Sequence, residues 1–166
     1  MSLHDLAQRV VTAAERCSIS IVTAESCTAG RIAHLLAGAP GAGSCFHGGF
    51  VVYTKAMKTA VLDVPPDLLE TKSAVCLEVA EAMARGALVH SPADVALAVT
   101  GVAGPDPDED GNPVGLVFCA VAQRGGRSPR LAQIICPERE PDAILQTTIS
   151  QALDLLNDVC LEPQHS

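Results

Sequence analysis

Ile19-Ser20-Ile21-Val22-Thr23-Ala24-Glu25-Ser26-Cys27-Thr28-Ala29-Gly30-Arg31-Ile32-Ala33-His34-Leu35-Leu36-Ala37 runs from an apolar stretch through a hydroxyl-rich turn into a helical pattern. The spacing predicts a buried strand over roughly 18–24 and a helix over about 28–38. A hydroxyl at such a turn lies beside backbone N–H groups that favour developing negative charge. Two readings of Ser26 and Thr28 stand side by side here: a helix N-cap, or a nucleophile that comes with part of an oxyanion hole.

Upstream, Ser2 is a cap, and Leu3, Leu6, Val10, Val11 and Ala14 recur at helical spacing up to about Arg16. Downstream, breakers from Gly38 to Gly43 lead to a second strand, Cys45 to Tyr53, in which Gly48-Gly49 invites a close approach to the backbone. Thr54 is suited to cap a short helix, Lys55 to Leu62. Pro65-Pro66 reads as a turn, and Ser73 as the cap of a helix over about 74–90. Asp94 to Thr100 is almost wholly apolar, as expected of a central strand covered on both faces. Pro113-Val114-Gly115 opens another strand to about Val121. The Gln123–Arg127 turn and the run from Pro129 to Cys136 complete a hairpin, and a last helix spans about 141–160. From Glu162 onward the chain reads as a short polar tail. Helices alternating with strands predict one domain over 1–166, a three-layer α/β/α sandwich on a mixed, mostly parallel sheet of about five strands.

The chain has 166 residues, 48% of them hydrophobic, only four aromatic and none Trp, so aliphatic side chains must fill the core. A net charge of −8 argues against nucleic acid or an anionic membrane as the main partner. Seven cysteines in mostly apolar settings, with no Cys-x-x-Cys, read as reduced thiols. No signal peptide or membrane-length run stands out. The expectation is a cytoplasmic homo-oligomer acting on a small molecule, without cofactor or metal.

Three loops fall at strand ends, around Ser26, Tyr53 to Lys58, and Thr100 to Pro105, and they share one edge if their strands are parallel. None of these loops contains a His, so Lys58 is the available base for a serine, provided that its pKa is lowered. Against this stands the ordinary fate of a Lys, a solvated helix position. Gly101 and Gly104 open a strand exit to a flat or phosphorylated ligand, or simply make a turn. Cys27 is the rival nucleophile but has no evident partner. Asp106-x-Asp108-x-Asp110-Gly111 imitates a calcium loop, yet Val117 stands where its bidentate Glu belongs, so it reads as a solvated acidic turn. The five His lack metal-ligand spacing.

Thr23-Ala24-Glu25-Ser26-Cys27-Thr28-Ala29-Gly30, Gly49-Phe50-Val51-Val52-Tyr53-Thr54-x-x-x-Lys58, Thr100-Gly101-Val102-Ala103-Gly104-Pro105 and Pro113-Val114-Gly115 together resemble the CinA C-terminal domain family over nearly the whole chain. Its enzymatic members are nicotinamide mononucleotide deamidases. The resemblance implies metal-independent hydrolysis of the carboxamide to nicotinic acid mononucleotide and ammonia, in a stand-alone form of the domain. Carried over by motif, Ser26 is the nucleophile and Lys58 the general base, with Tyr53 and Thr100 supporting the dyad. Thr28, Gly30, Gly49, Gly101 and Gly104 would line the substrate, and Arg139 would meet its phosphate. Departures from the family pattern are Ala29 for a glycine, Thr54-Lys55 for Ser-Asn, Pro137-Glu138-Arg139 for Gly-Asp-Arg, and Leu145 for an arginine. The alternatives are a non-catalytic nucleotide-binding module with a regulatory role, and an amidase for another carboxamide.

Overall fold

A computed structural model describes residues 1–162; the polar tail beyond Glu162 lies outside the described residues. The chain forms α1 (Leu3–Cys17), β1 (Ile21–Glu25), α2 (Arg31–Gly38), a 3-10 turn, β2 (Phe46–Val51), α3 (Lys55–Leu62), α4 (Pro66–Lys72), α5 (Leu77–Val89), β3 (Val95–Gly101), β4 (Leu116–Gln123), β5 (Arg130–Ile135) and α6 (Pro141–Leu161). The sheet order is β2-β1-β3-β4-β5. β1 pairs parallel with β2 and β3, and β4 pairs antiparallel with β3 and β5. The sheet is therefore mixed, with two pairings of each kind.

Alternation along the strands sorts side chains between two cores. Val95, Leu97 and Val99 of β3, with Val117, Cys119 and Val121 of β4, face α1, α2 and α6. Ala96, Ala98, Ala120 and Ala122 face the opposite way, toward α3, α4 and α5. Small residues on that face let α5 lie close to the sheet, which substitutes for the aromatic bulk this sequence lacks. A close approach recurs between α5 and α3, where a Cβ placed on Gly86 would land on the Leu62 carbonyl.

Several boundaries differ from expectation. α2 begins at Arg31, because residues 26–30 make a turn with Ala29 and Gly30 both at positive φ. The Pro65-Pro66 turn leads into α4, with Pro66 at its first position, where a missing N–H costs nothing. α5 begins at Leu77 with Cys76 as its cap residue, because Ser73 adopts φ +80° and cannot be the cap. α3 and its Thr54 cap, whose hydroxyl accepts from the Met57 N–H at 3.2 Å, match the sequence reading.

The far end of α5 is closed by Arg124. Its guanidinium donates to the carbonyls of Leu88 at 2.6 Å, Ser91 at 2.9 Å and Ala93 at 3.0 Å. Arg124→Ala leaves these carbonyls without their charged donor. It is expected to destabilise the fold by about 1–3 kcal/mol, read as a lower midpoint of urea unfolding.

Candidate active site

Because β1, β2 and β3 are mutually parallel, their carboxyl ends open on one edge, and the three loops converge there. They enclose a cavity of about 420 Å³, lined among others by Ser26, Cys27, Tyr53, Lys55, Lys58 and Thr100. That volume is in the range that takes a small molecule.

Lys58 is the unusual member of this wall. Only 1% exposed, it sits one turn into α3 beneath the β2 exit. Its Nζ lies 2.8 Å from Ser26 Oγ, 3.0 Å from the Val52 carbonyl and 3.1 Å from the Tyr53 carbonyl. No ion pair to Lys58 occurs among the described residues. Burial without a counter-ion disfavours the ammonium and lowers its pKa from 10.5 to about 8. The geometry serves both protonation states. An ammonium donates to all three oxygens. A neutral amine keeps its two donors on the carbonyls and turns its lone pair to the Ser26 hydroxyl.

Ser26, 6% exposed, is held from behind by its own N–H, which donates to the Val99 carbonyl at 3.0 Å. Apart from a contact of the Cys27 amide with its own thiol, the amides of Cys27 and Thr28 take part in no hydrogen bond among the described residues. They are the N–H groups next to the nucleophile that no other residue engages. The amides at the start of α2 do not share that role, because Ile32 and Ala33 both donate to the buried carboxylate of Glu25, each at 2.9 Å. The N–H groups left beside Ser26 therefore belong to the turn before α2 and not to α2 itself.

Cys27 also lines the cavity, but burial pushes its thiol up to about 12, so it carries no thiolate at neutral pH. Tyr53 meets the dyad through its carbonyl, while its side chain is 71% exposed at the cavity rim. Thr100 is buried on the wall and donates to the Ala74 carbonyl at 2.7 Å, tying the end of β3 to the turn before α5. Gly101 and Gly104 lie on the wall, whereas Thr28, Gly30 and Gly49 do not. Thr28 donates to Glu25 at 2.7 Å. Gly49 has a packing role, since a Cβ there would strike Thr23 Oγ1 and crowd Ala33. Arg139 is exposed on the β5–α6 connection and outside the cavity wall.

The acidic loop is not a free solvated turn. Lys55 Nζ binds Asp110 at 2.9 Å and Glu109 at 3.4 Å. Asp108 accepts from the amides of Asp110 and Asn112, and Asn112 reaches Ser73 at 2.7 Å. So anchored, Asp106, Asp108 and Glu109 form one wall of the cavity. Sequence reading missed this wall, and it missed Glu25. The signal for Glu25 was a carboxylate ending an otherwise uncharged buried strand.

Two outcomes follow from this geometry. Between about pH 8 and 10.5 the unfolded chain holds a proton on Lys58 that the folded chain lacks, so this residue makes stability rise with pH across that window. The stability of wild type relative to Lys58→Met, from urea unfolding at successive pH values, is expected to climb there and to stay flat below pH 8. Ala29, at φ +48°, occupies a left-handed conformation that glycine adopts freely. Ala29→Gly is expected to stabilise the fold by about 0.5–1 kcal/mol, read in the same assay.

The CinA C-terminal domain family model matches residues 3–160. A CinA-like protein from Geobacter sulfurreducens is 44% identical over 138 residues, covering 83% of this chain and 33% of that protein. The chain thus spans about a third of the length of the curated relatives it matches. The crystal structure of the competence/damage inducible protein CihA from Agrobacterium tumefaciens superposes with a TM-score of 0.89 at 35% identity, covering 97% of this chain and 96% of that one. A competence-damaged protein (CinA) superfamily protein from Klebsiella pneumoniae gives a TM-score of 0.91 at 29% identity, with 96% and 98% covered. With the matching model running from α1 to α6 and the same fold in these solved relatives, the chain belongs to the CinA C-terminal domain family.

Proposed function

We propose that this domain is an amidohydrolase that converts the carboxamide of nicotinamide mononucleotide to the carboxylate and releases ammonia by a Ser–Lys mechanism. The observation that carries the reading is the buried Lys58 amine 2.8 Å from Ser26 Oγ, with no carboxylate in ion-pair contact with it among the described residues. Neutral Lys58 takes the Ser26 proton as Oγ attacks the carboxamide carbon. The amide of Cys27, which lines the cavity beside Ser26, receives the developing oxyanion. The Lys58 ammonium returns its proton to the departing nitrogen, and ammonia leaves. Water, deprotonated by the same amine, then cleaves the ester and frees Ser26. Asp106, Asp108 and Glu109 on the cavity wall favour a cationic heterocycle such as a pyridinium ring over an anionic one. Lys55, the other cation on the wall, is the nearest candidate for the phosphate and would exchange Asp110 and Glu109 for it.

Ammonia release from nicotinamide mononucleotide by the purified protein is the test. The rate is expected to rise with pH through an inflection near 8, where Lys58 loses its proton. Ser26→Ala should abolish turnover. Lys58→Arg should do so as well, since a guanidinium stays protonated throughout. Cys27→Ser should keep most of the activity. Tight binding of the nucleotide without ammonia release would identify a binding module instead, and release only from other carboxamides would identify a different amidase.

A further inference from the structure

Glu25 is fully buried at the end of β1, and no cation pairs with it among the described residues. All of its partners are hydrogen-bond donors on one short stretch of chain or on β1 itself. Oε1 accepts from Thr28 Oγ1 at 2.7 Å and the Ile32 N–H at 2.9 Å. Oε2 accepts from the Ala33 N–H at 2.9 Å and Thr23 Oγ1 at 3.3 Å. A strand residue therefore caps the helix that follows it, where a cap ordinarily comes from the residue before the helix. Gly30, which holds that place, has no side chain to offer.

The turn that Glu25 spans is the one that carries Ser26. Its two ends, Thr28 and the first turn of α2, are both tied to this carboxylate. Between them Ala29 and Gly30 are held at φ +48° and +88°. This conformation leaves the Cys27 and Thr28 amides without a partner on any other described residue, while the neighbouring α2 amides are consumed. We infer that Glu25 is a positioning residue of the active site: by gripping Thr28 and the start of α2, it fixes the Ser26-Cys27-Thr28 turn so that the Cys27 amide beside the nucleophile is preset for the oxyanion. The side chain itself does not line the cavity. The inference rests on Ser26 as the nucleophile.

Glu25→Gln keeps the size but sets an NH2 against an N–H donor on one side, so the grip is lost there. The expected result is a folded protein whose kcat on nicotinamide mononucleotide falls about a hundredfold, the scale of losing an oxyanion donor. KM should stay within threefold, and the inflection near pH 8 should not move, because the Lys58 surroundings are untouched. Phosphonylation of Ser26 by a fluorophosphonate probe, followed by mass spectrometry, should slow in parallel without depending on the substrate. A merely structural role would lower the melting temperature and leave the rate per folded molecule unchanged. Should Glu25→Gln fail to fold, Thr28→Val removes one arm of the grip alone and is expected to reduce kcat and probe reaction about three- to tenfold at constant KM. Folded Glu25→Gln, or in its absence Thr28→Val, reacting with the probe at the wild-type rate would overturn the inference. A wild type that reacts with the probe but not with the nucleotide would overturn only the proposed substrate. A wild type inert toward both would remove Ser26 as nucleophile and the inference with it.

Discussion

The site depends on an amine that has been taken out of water without being given a counter-ion. A lysine in that position is costly, and it persists because two carbonyls and one hydroxyl replace its solvation shell. Those three acceptors come from two elements: Ser26 from the β1 exit, Val52 and Tyr53 from the β2 exit. Only the parallel pairing of β1 with β2 brings the two exits to the same edge at the right height. The chemistry is thus a property of strand register before it is a property of any side chain.

Two kinds of electrostatic arrangement sit side by side at this edge. Lys58 is buried, unpaired and easily deprotonated. Lys55, three residues earlier on the same helix, is paired with Asp110 and Glu109, and this contact raises its pKa. One lysine can act as a base, while the other ties a loop to α3. Their different fates follow from depth along one helix face: Lys58, a turn in, reaches the buried carbonyls at the β2 exit, and Lys55, at the helix start, meets the acidic loop. Glu25 is a third case, a buried carboxylate satisfied by backbone and hydroxyl donors from its own neighbourhood.

Much of this was legible in the chain. The apolar run of β3, the Thr54-capped helix and the closing hairpin carry their own periodicity and turn chemistry, so their placement needs no tertiary information. Ser26 and Lys58 could be paired in advance because both follow strands and no histidine competes. What could not be read depends on contacts far apart in sequence. Asp108 and Asp110 read as solvated because nothing local reveals that Lys55 and Ser73 will meet their loop. Tyr53 is expected to support the dyad, and it is its carbonyl that makes the contact, a backbone group that leaves no trace in residue identity. α2 starts at Arg31, three residues later than its periodicity predicts, since its cap comes from Glu25, a strand residue that no local capping rule would nominate.

The close passage of α5 over α3 at Gly86 carries a meaning beyond packing. Leu62, whose carbonyl occupies the space a side chain would need, closes the helix that bears Lys58. Any bulk at position 86 would force α5 and α3 apart, and a seam opened there would let water nearer the amine. The proton affinity of Lys58 would then drift back toward that of a lysine in solution. The seating of the helix that bears the reactive amine thus depends on a hydrogen atom on a different helix, at a residue that never touches the cavity.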